Sequence, residues 1–352
     1  MSDSPPIFVP AADDRTQLGR EALETPARVR AHEADNAAIY RDLGRRLRAK
    51  PPRFVVTCAR GSSDHAAVYG KYLIEKYVGR PVASVGLSIA SVYGRTLDLT
   101  DGLFIAISQS GRSPDLLRLN EMAKSAGALV VGFVNDEASP LFEMSDVPVP
   151  LRAGEELSVA ATKSYLLSCY AFLRLVAAWS GEAELLAAAE SLPDALDAAI
   201  GLSWQPALAE LVGSNDMFVL GRGLSFGAAL EAALKLKETS RLHAEAFSTA
   251  EVIHGPFGLV GPNLPVLAFG QNDEAEPTIR STIERVIEAG ARAWSAVEAS
   301  GAVLLQTVAG VAPTTQPLCQ ELSFYLAVQH LALARGLDPD NPPNLRKVTE
   351  TR

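Results

Sequence analysis

The ionisable side chains of this sequence are concentrated in residues 229–256, ALEAALKLKETSRLHAEAFSTAEVIHGP. Glu231, Lys235 and Glu238 are spaced by four and three residues, so a helix places them on one face. A solvated row of ion pairs would show the same spacing, but alanine and leucine surround these residues and indicate a largely buried helix. A buried carboxylate beside a lysine is suited to general base catalysis, so Glu231 and Glu238 are both candidates for the base, and Lys235 is expected to belong to the substrate site.

Hydroxyl groups collect at two points where an apolar run ends and a helix is predicted to begin. In a parallel sheet both points lie at the carboxyl edge, where ligands bind. The N–H groups of a helix N-terminus and uncharged hydroxyls suit a phosphate group, although a single serine there would more simply cap its helix. The repetition favours a small phosphorylated metabolite, held by Gly61, Ser62, Ser63, Ser108, Gln109, Ser110 and Ser113.

Two further residues are candidates for catalysis. His254 precedes a Gly-Pro turn and is therefore expected on a loop, where catalytic residues gather, although a lone histidine is more often structural. Lys347 belongs to the tail LDPDNPPNLRKVTETR, whose prolines do not allow a continued helix. The tail is either frayed or a lid that brings Lys347 to the site, where its amine could form an imine with a sugar carbonyl.

Alternating strands and helices would position these residues. Apolar runs separated by helical segments are typical of parallel sheets that are covered on both faces. The order strand, Gly/Ser turn, helix occurs at 53–77 and again at 217–238, which indicates a duplicated α/β unit. Strands are predicted at 53–58, 82–86, 103–108, 129–134, 147–151, 217–220, 266–270 and 303–307.

Composition narrows the classes of partner and the location. The net charge of −9 argues against nucleic acid or an anionic membrane as the main partner. Cys58, Cys169 and Cys319 are scattered, and the five histidines are dispersed without metal-ligand spacing, which fits a reducing compartment and no metal site. The start MSDSPPIFVP lacks the features of a signal peptide and no apolar stretch could span a bilayer, so a cytoplasmic location is expected.

Six stretches in order resemble the sugar isomerase (SIS) domain family: RGSSDHAA, SQSGRSPD, AGEELSVAATKSY, LGRG, the segment 229–256 and NLRKVT. The likeness is greatest to the isomerase half of glucosamine-6-phosphate synthase and to the stand-alone SIS-type glucosamine-6-phosphate deaminases. It implies two tandem SIS domains, each a three-layer, flavodoxin-like parallel sheet flanked by helices. The expected organisation is an N-terminal tail and helix at 1–50, a first SIS domain at 51–180, a helical connection at 181–215, a second SIS domain at 216–335 and a C-terminal lid at 336–352.

The resemblance also implies roles for individual residues. Glu238 would move a proton between C1 and C2 of the sugar, and Lys347 would form an imine with the open-chain ketose. His254 would open the sugar ring in the site of the neighbouring subunit, so a homodimer is expected, and no metal or organic cofactor is required. Ser63, Ser108, Gln109, Ser110 and Ser113 would hold the phosphate of a hexose 6-phosphate, while Val159 and Ala161 would line the sugar, with Ala161 at a position where serine is usual.

Two departures point away from glutamine-driven synthesis. The chain begins MSDS and is expected to lack a glutaminase domain, and its tail lacks an arginine before Asn344 and a serine after Lys347. We therefore expect a deaminase that converts glucosamine 6-phosphate to fructose 6-phosphate and ammonia. Three alternatives stay open: a deaminase/isomerase or deglycase for another amino-sugar phosphate, a synthase subunit that takes ammonia from a partner, and a non-catalytic phosphosugar sensor.

Overall fold

Two parallel five-stranded sheets form the framework of the computed structural model, which describes residues 16–262 and 264–347. The first sheet has the strand order β2-β1-β3-β4-β5, with every pair parallel. Its central strand β3 is paired on both sides, with Ile105 opposite Thr57 and Val131. The strands are β1 (Val55–Cys58), β2 (Val82–Ser84), β3 (Leu103–Ser108), β4 (Leu129–Val134) and β5 (Val147–Pro150).

The second sheet repeats this architecture in the order β10-β9-β8-β6-β7, again with parallel pairing throughout. The predicted α/β fold, with two parallel sheets flanked by helices, is confirmed. Two strands were not predicted: β7 because it is an edge strand with exposed charged residues, and β9 because it has only four residues. The strands are β6 (Asp216–Gly221), β7 (His243–Ser248), β8 (Pro265–Ala268), β9 (Arg292–Ser295) and β10 (Val303–Leu304).

Helices cover both sheets and link them. The helix predicted within residues 1–50 is divided at Glu24, since Pro26 lies in the first turn of a new helix, where its missing N–H is tolerated. The helices are α1 (Gln17–Leu23), α2 (Thr25–Ala49), α3 (Ser62–Tyr77), α4 (Ser88–Ser91), α5 (Pro114–Ser125), α6 (Pro140–Met144), α7 (Lys163–Ser180), α8 (Ala183–Ile200), α9 (Gln205–Ala209), α10 (Phe226–Ser240), α11 (Glu276–Glu288) and α12 (Gln316–Ala334), with 3₁₀ turns at Gly223–Ser225 and Pro256–Leu259.

The main hydrophobic core lies between the two sheets, where α3 and α7 of the first unit meet α10 and α12 of the second. Helix α10 approaches α3 closely at Gly227, where an added Cβ would lie 2.8 Å from the carbonyl oxygen of His65. Glycine therefore permits this contact, which places the predicted proton-transfer helix against the start of the helix that follows the first Gly/Ser turn. Among the described residues, no helix is long and apolar enough to cross a membrane.

Candidate functional site

A cavity of about 360 Å³ opens at the carboxyl edge of the first sheet. Residues from both units and from the C-terminal tail form its wall, although they are far apart in the sequence. The structure therefore brings the predicted phosphate-binding turns together with the predicted base and the tail lysine. The predicted site residues in this wall are Gly61, Ser63, Ser108, Gln109, Ser110, Ser113, Val159, Glu238 and Lys347.

The two Gly/Ser turns lead directly into helices α3 and α5. Gly61 has φ +53° and Gly111 has φ +62°, a region that glycine adopts without strain. The Ser108 hydroxyl accepts a hydrogen bond from the Gly111 N–H at 2.9 Å, which closes the second turn. Ser113 is the N-cap residue of α5, yet its side chain makes no capping hydrogen bond. Helix capping therefore does not account for Ser113, which lines the cavity.

Arg60 adds a positive charge to this wall and was not identified from the sequence. Its guanidinium forms an ion pair with the buried carboxylate of Asp115, with the Arg60 Nε 3.0 Å from Oδ2. Asp115 lies in the first turn of α5, so the ion pair connects the two turns. The signal in the sequence was an arginine directly before Gly61, but its acidic partner is 55 residues away and could not be recognised.

Glu238 occupies the opposite part of the wall, with 19 % of its side chain exposed. Its Oε2 accepts a hydrogen bond from Lys235, whose side chain is completely buried beneath it. Burial alone would lower the pKa of Lys235, but the adjacent Glu231 and Glu238 carboxylates raise it well above its usual range. The lysine is therefore an ammonium that orients the Glu238 carboxylate, and it does not line the cavity itself.

Glu231 continues this buried network toward α3 and α12. Its Oε2 lies 2.9 Å from the His65 Nδ1, and its Oε1 accepts a hydrogen bond from the Tyr325 hydroxyl at 3.1 Å and lies 3.4 Å from the Lys235 Nζ. Burial would raise the pKa of Glu231, but Lys235 and His65 outweigh it and lower that pKa. The alternative of a solvated row of ion pairs is wrong, because Glu231 and Lys235 are both buried.

Lys347 reaches the cavity through an ion pair with Glu156, a residue that sequence reasoning did not single out. The Lys347 Nζ donates to Glu156 Oε2 at 2.9 Å and to the carbonyl oxygen of Ser158 at 2.7 Å. The buried Glu156 also accepts hydrogen bonds from the Thr162 N–H and from the N–H and hydroxyl of Ser164. Burial would raise its pKa, but Lys347 and these donors lower it, so Glu156 is an anion at neutral pH.

Four predicted site residues lie outside the cavity wall. Lys235 is buried beneath Glu238, and Ser62 contributes a hydrogen bond to Glu231. Ala161 is half-buried in the loop before α7. His254 lies on an exposed turn, where its backbone N–H donates to the carbonyl oxygen of Glu251. Its predicted role in a neighbouring subunit stays a prediction.

No cluster of metal ligands is present in residues 16–262 and 264–347. No group of three or more His, Cys, Asp or Glu side chains in these ranges could hold a metal ion. Cys58, Cys169 and Cys319 are free thiols buried in the core. The cavity wall itself supplies the Glu238 carboxylate, the Lys347 amine, the Arg60 guanidinium and serine hydroxyl groups.

Two solved structures with high coverage are similar to this chain. A provisionally assigned phosphosugar isomerase from Silicibacter pomeroyi has 41% sequence identity and a TM-score of 0.89, covering 92% of this chain and 100% of that one. Glucosamine-6-phosphate deaminase from Thermotoga maritima has 21% identity and a TM-score of 0.75, covering 96% and 100%. At that lower identity the likeness concerns the fold alone.

The curated relatives give the family. Glutamine–fructose-6-phosphate aminotransferase [isomerizing] from Aeropyrum pernix is 35% identical over 337 residues, covering 89% of this chain and 53% of the relative. The chain thus spans about half the length of the curated relatives it matches. The profile of the SIS domain matches residues 50–178 and 210–302. The chain belongs to the SIS domain family.

Proposed function

We propose that this protein is a phosphosugar isomerase that converts glucosamine 6-phosphate and water to fructose 6-phosphate and ammonia. One observation carries the proposal: a single cavity joins the two Gly/Ser turns to the Glu238 carboxylate and the Lys347 amine. The curated relative named above, an isomerizing glutamine–fructose-6-phosphate aminotransferase, supports the substrate class.

The phosphate would bind at the two Gly/Ser turns. The N-termini of α3 and α5 present N–H groups there, and the hydroxyls of Ser63, Ser110 and Ser113 add donors without net charge. Arg60 supplies a positive charge that the buried Asp115 holds in place. These contacts would bind the phosphate ester, and the sugar carbons would then face Glu238 and Lys347.

Glu238 would transfer the proton between C1 and C2. In the open-chain aldehyde, the Glu238 carboxylate takes the proton from C2 while the C1 oxygen gains one from solvent, which forms an enolamine. Glu238 then returns its proton to C1, and the product is a ketose imine at C2. The Lys235 ammonium fixes the carboxylate during both steps.

The C2 imine would lose ammonia in one of two ways. Water adds to C2 directly and ammonia leaves, or the Lys347 amine adds to C2, ammonia leaves, and water then releases the ketose from the lysine imine. Both routes consume one water and release one ammonia. The ion pair with Glu156 holds the Lys347 Nζ at the cavity wall, and the ammonium would give up its proton to solvent before the amine adds to C2.

The decisive experiment is Glu238→Gln in an ammonia-release assay with glucosamine 6-phosphate. Loss of a general base costs roughly 10²–10⁴-fold in rate, and we expect kcat to fall in that range while KM is retained. Glu245→Gln on the exposed strand β7 is the matched control and should behave as wild type. Near-normal turnover by Glu238→Gln would refute the proposal.

We also propose that His254 completes the site of a second subunit in a homodimer. Its exposed position outside the cavity of its own chain supports this assignment. When inactive Glu238→Gln and His254→Ala proteins are mixed and reassociated, mixed dimers would contain one intact site. About a quarter of wild-type activity is then expected from random pairing. Failure to recover activity, with mixed dimers demonstrated, would mean that His254 does not act in the neighbouring subunit. A fully active His254→Ala protein would place His254 outside the reaction.

A second candidate function is favoured by Arg346. This exposed arginine lines the cavity beside Lys347, and its guanidinium is suited to a carboxylate. A deglycase acting on a phosphorylated sugar–amino-acid adduct would present such a group. Glucosamine 6-phosphate, galactosamine 6-phosphate and a fructosyl amino acid 6-phosphate, compared by kcat/KM, would identify the substrate.

A further inference from the structure

Helix α1 lies outside the cavity, yet it contacts two segments without regular secondary structure that contribute Val159 and Lys347 to the cavity wall. One is the site loop, residues 156–159, which contains Glu156 and Val159. The other is the C-terminal tail, residues 338–347, which ends at Lys347. Hydrogen bonds join α1 to the loop, the loop to the tail, and the tail back to α1.

Glu21 makes the contact between α1 and the site loop. Its side chain is completely buried, and its Oε1 accepts a hydrogen bond from the Leu157 N–H at 2.5 Å. Its Oε2 accepts from the Ser158 N–H at 3.2 Å. A buried carboxylate is retained only with such donors, and these two donors belong to the residues between Glu156 and Val159. Glu21 therefore fixes the loop backbone at the point where Lys347 binds.

Asp340 makes the contact between the tail and α1. Its carboxylate oxygens accept hydrogen bonds from the Gln17 N–H at 2.7 Å and the Leu18 N–H at 2.8 Å. The Asp340 carbonyl oxygen accepts a longer bond, 3.5 Å, from the Val159 N–H. The tail is therefore fastened at Asp340 and meets the loop again at Lys347.

Helix α1 is itself held firmly on α12, which makes it a fixed support. Gly19 lies so close to Gln329 that an added Cβ would collide with that side chain. The Thr16 hydroxyl donates to Gln329 Oε1 at 2.6 Å and accepts from the Gly19 N–H. Helix α1 thus connects both the loop and the tail to the hydrophobic core.

We propose that Glu21 and Asp340 are positioning residues that set the orientation of the Lys347 amine and of Val159 without touching the substrate. The inference rests on the proposed function for the role of Lys347. It assigns to α1 a part in the reaction although no residue of α1 lines the cavity. The contacts of Glu21 and Asp340 carry it, because both carboxylates bind backbone N–H groups of segments other than their own.

The first test is kinetic and uses Glu21→Ala and Asp340→Ala in the full chain with glucosamine 6-phosphate. Misplacement of a reacting group costs up to about 10²-fold, so kcat should fall tenfold or more while KM, set by the phosphate contacts, changes less than about threefold. Glu21→Gln, which retains one acceptor oxygen, should recover part of the loss. Glu33→Gln is the matched control, since Glu33 binds Tyr170 and Arg174 away from the loop.

The second test does not depend on ammonia release. Borohydride reduction in the presence of fructose 6-phosphate should label Lys347 in wild type, and the label should decrease in Glu21→Ala. Hydrogen exchange of peptides covering 156–162 and 338–347 should be faster in both alanine variants and unchanged in Glu33→Gln. Unchanged exchange and kcat in Glu21→Ala would overturn the inference. Wild type without turnover of any amino-sugar phosphate would instead overturn the proposed function.

Discussion

The replacement Glu156→Gln is the sharpest test of how the site is assembled. Glu156 is buried, and its pKa is lowered despite burial because Lys347 and several donors contact it. Its Oε1 accepts from the Thr162 and Ser164 N–H groups at 3.0 Å and 3.1 Å. Its Oε2 accepts from the Ser164 hydroxyl at 2.7 Å and from Lys347 at 2.9 Å. Four donors therefore converge on two oxygens.

Glutamine has the same shape but only one acceptor oxygen. If that oxygen keeps the two backbone N–H groups, the amide nitrogen faces the Lys347 ammonium, and two donors oppose each other. A hydrogen bond to a charged group contributes about 1.5–3 kcal/mol. A loss of about 2 kcal/mol in the placement of Lys347 corresponds to a roughly 30-fold lower kcat.

The assay is ammonia release from glucosamine 6-phosphate, with KM measured in parallel and thermal unfolding as the test of folding. Glu155→Gln is the matched control, because Glu155 is the exposed neighbour in the same loop. In a double-mutant cycle, Glu156→Gln should add little to Lys347→Met, since both remove the same contact. A folded Glu156→Gln enzyme whose kcat lies within about threefold of wild type would refute this reasoning.

Three further predictions concern the phosphate-binding turns and the core. Gly111→Ala should lower the free energy of unfolding by at least about 1–2 kcal/mol in urea titrations, because φ is +62° and the new Cβ would collide with Ser139. Ser113→Ala should leave the free energy of unfolding unchanged, since the Ser113 side chain does not cap α5. The same replacement should raise KM about tenfold, because one hydrogen bond to the phosphate is lost. A stability loss of about 1 kcal/mol would instead restore the capping interpretation. Burial lowers the pKa of His32 from 6.5 to about 4, so its neutral form stabilises the fold fully above pH 6.5 and this contribution is lost as pH falls toward 4. The loss in the free energy of unfolding amounts to about 3 kcal/mol. Urea unfolding at pH 6.5 and at pH 4 should show this contribution in wild type and not in His32→Gln.

Much of the fold could be predicted because its strands are apolar runs of ordinary length. The runs of β3 and β4 are buried almost throughout, and polar residues mark where each ends: QSG follows β3 and NDE follows β4. Strand β7 was missed because it alternates exposed and buried residues at a sheet edge, and its charged side chains resemble a loop. A continuous apolar run predicts a strand because it indicates burial, and this edge strand has only one buried residue, Ala244.

The candidate site was predictable only where its residues are close in the sequence or match the family. The spacing of Glu231, Lys235 and Glu238 indicated one helix face, and the structure places all three on α10. The partner of Lys347 could not be found in this way, because Glu156 is 191 residues away and lies in a loop without periodicity. The contact of His65 with Glu231 could not be predicted either, since it forms only where α3 packs on α10.

The close approach at Gly227 has a consequence for how new specificities could arise in this protein. The groups that would recognise the ester belong to one half of the duplicated chain, and the group that would move hydrogen belongs to the other. On the proposed assignment neither half alone would contain a complete reaction centre, so separating them would leave a binder without turnover. Conversely, the ester-recognising half could be altered to admit another substrate while the helix that carries Glu238 kept its chemistry.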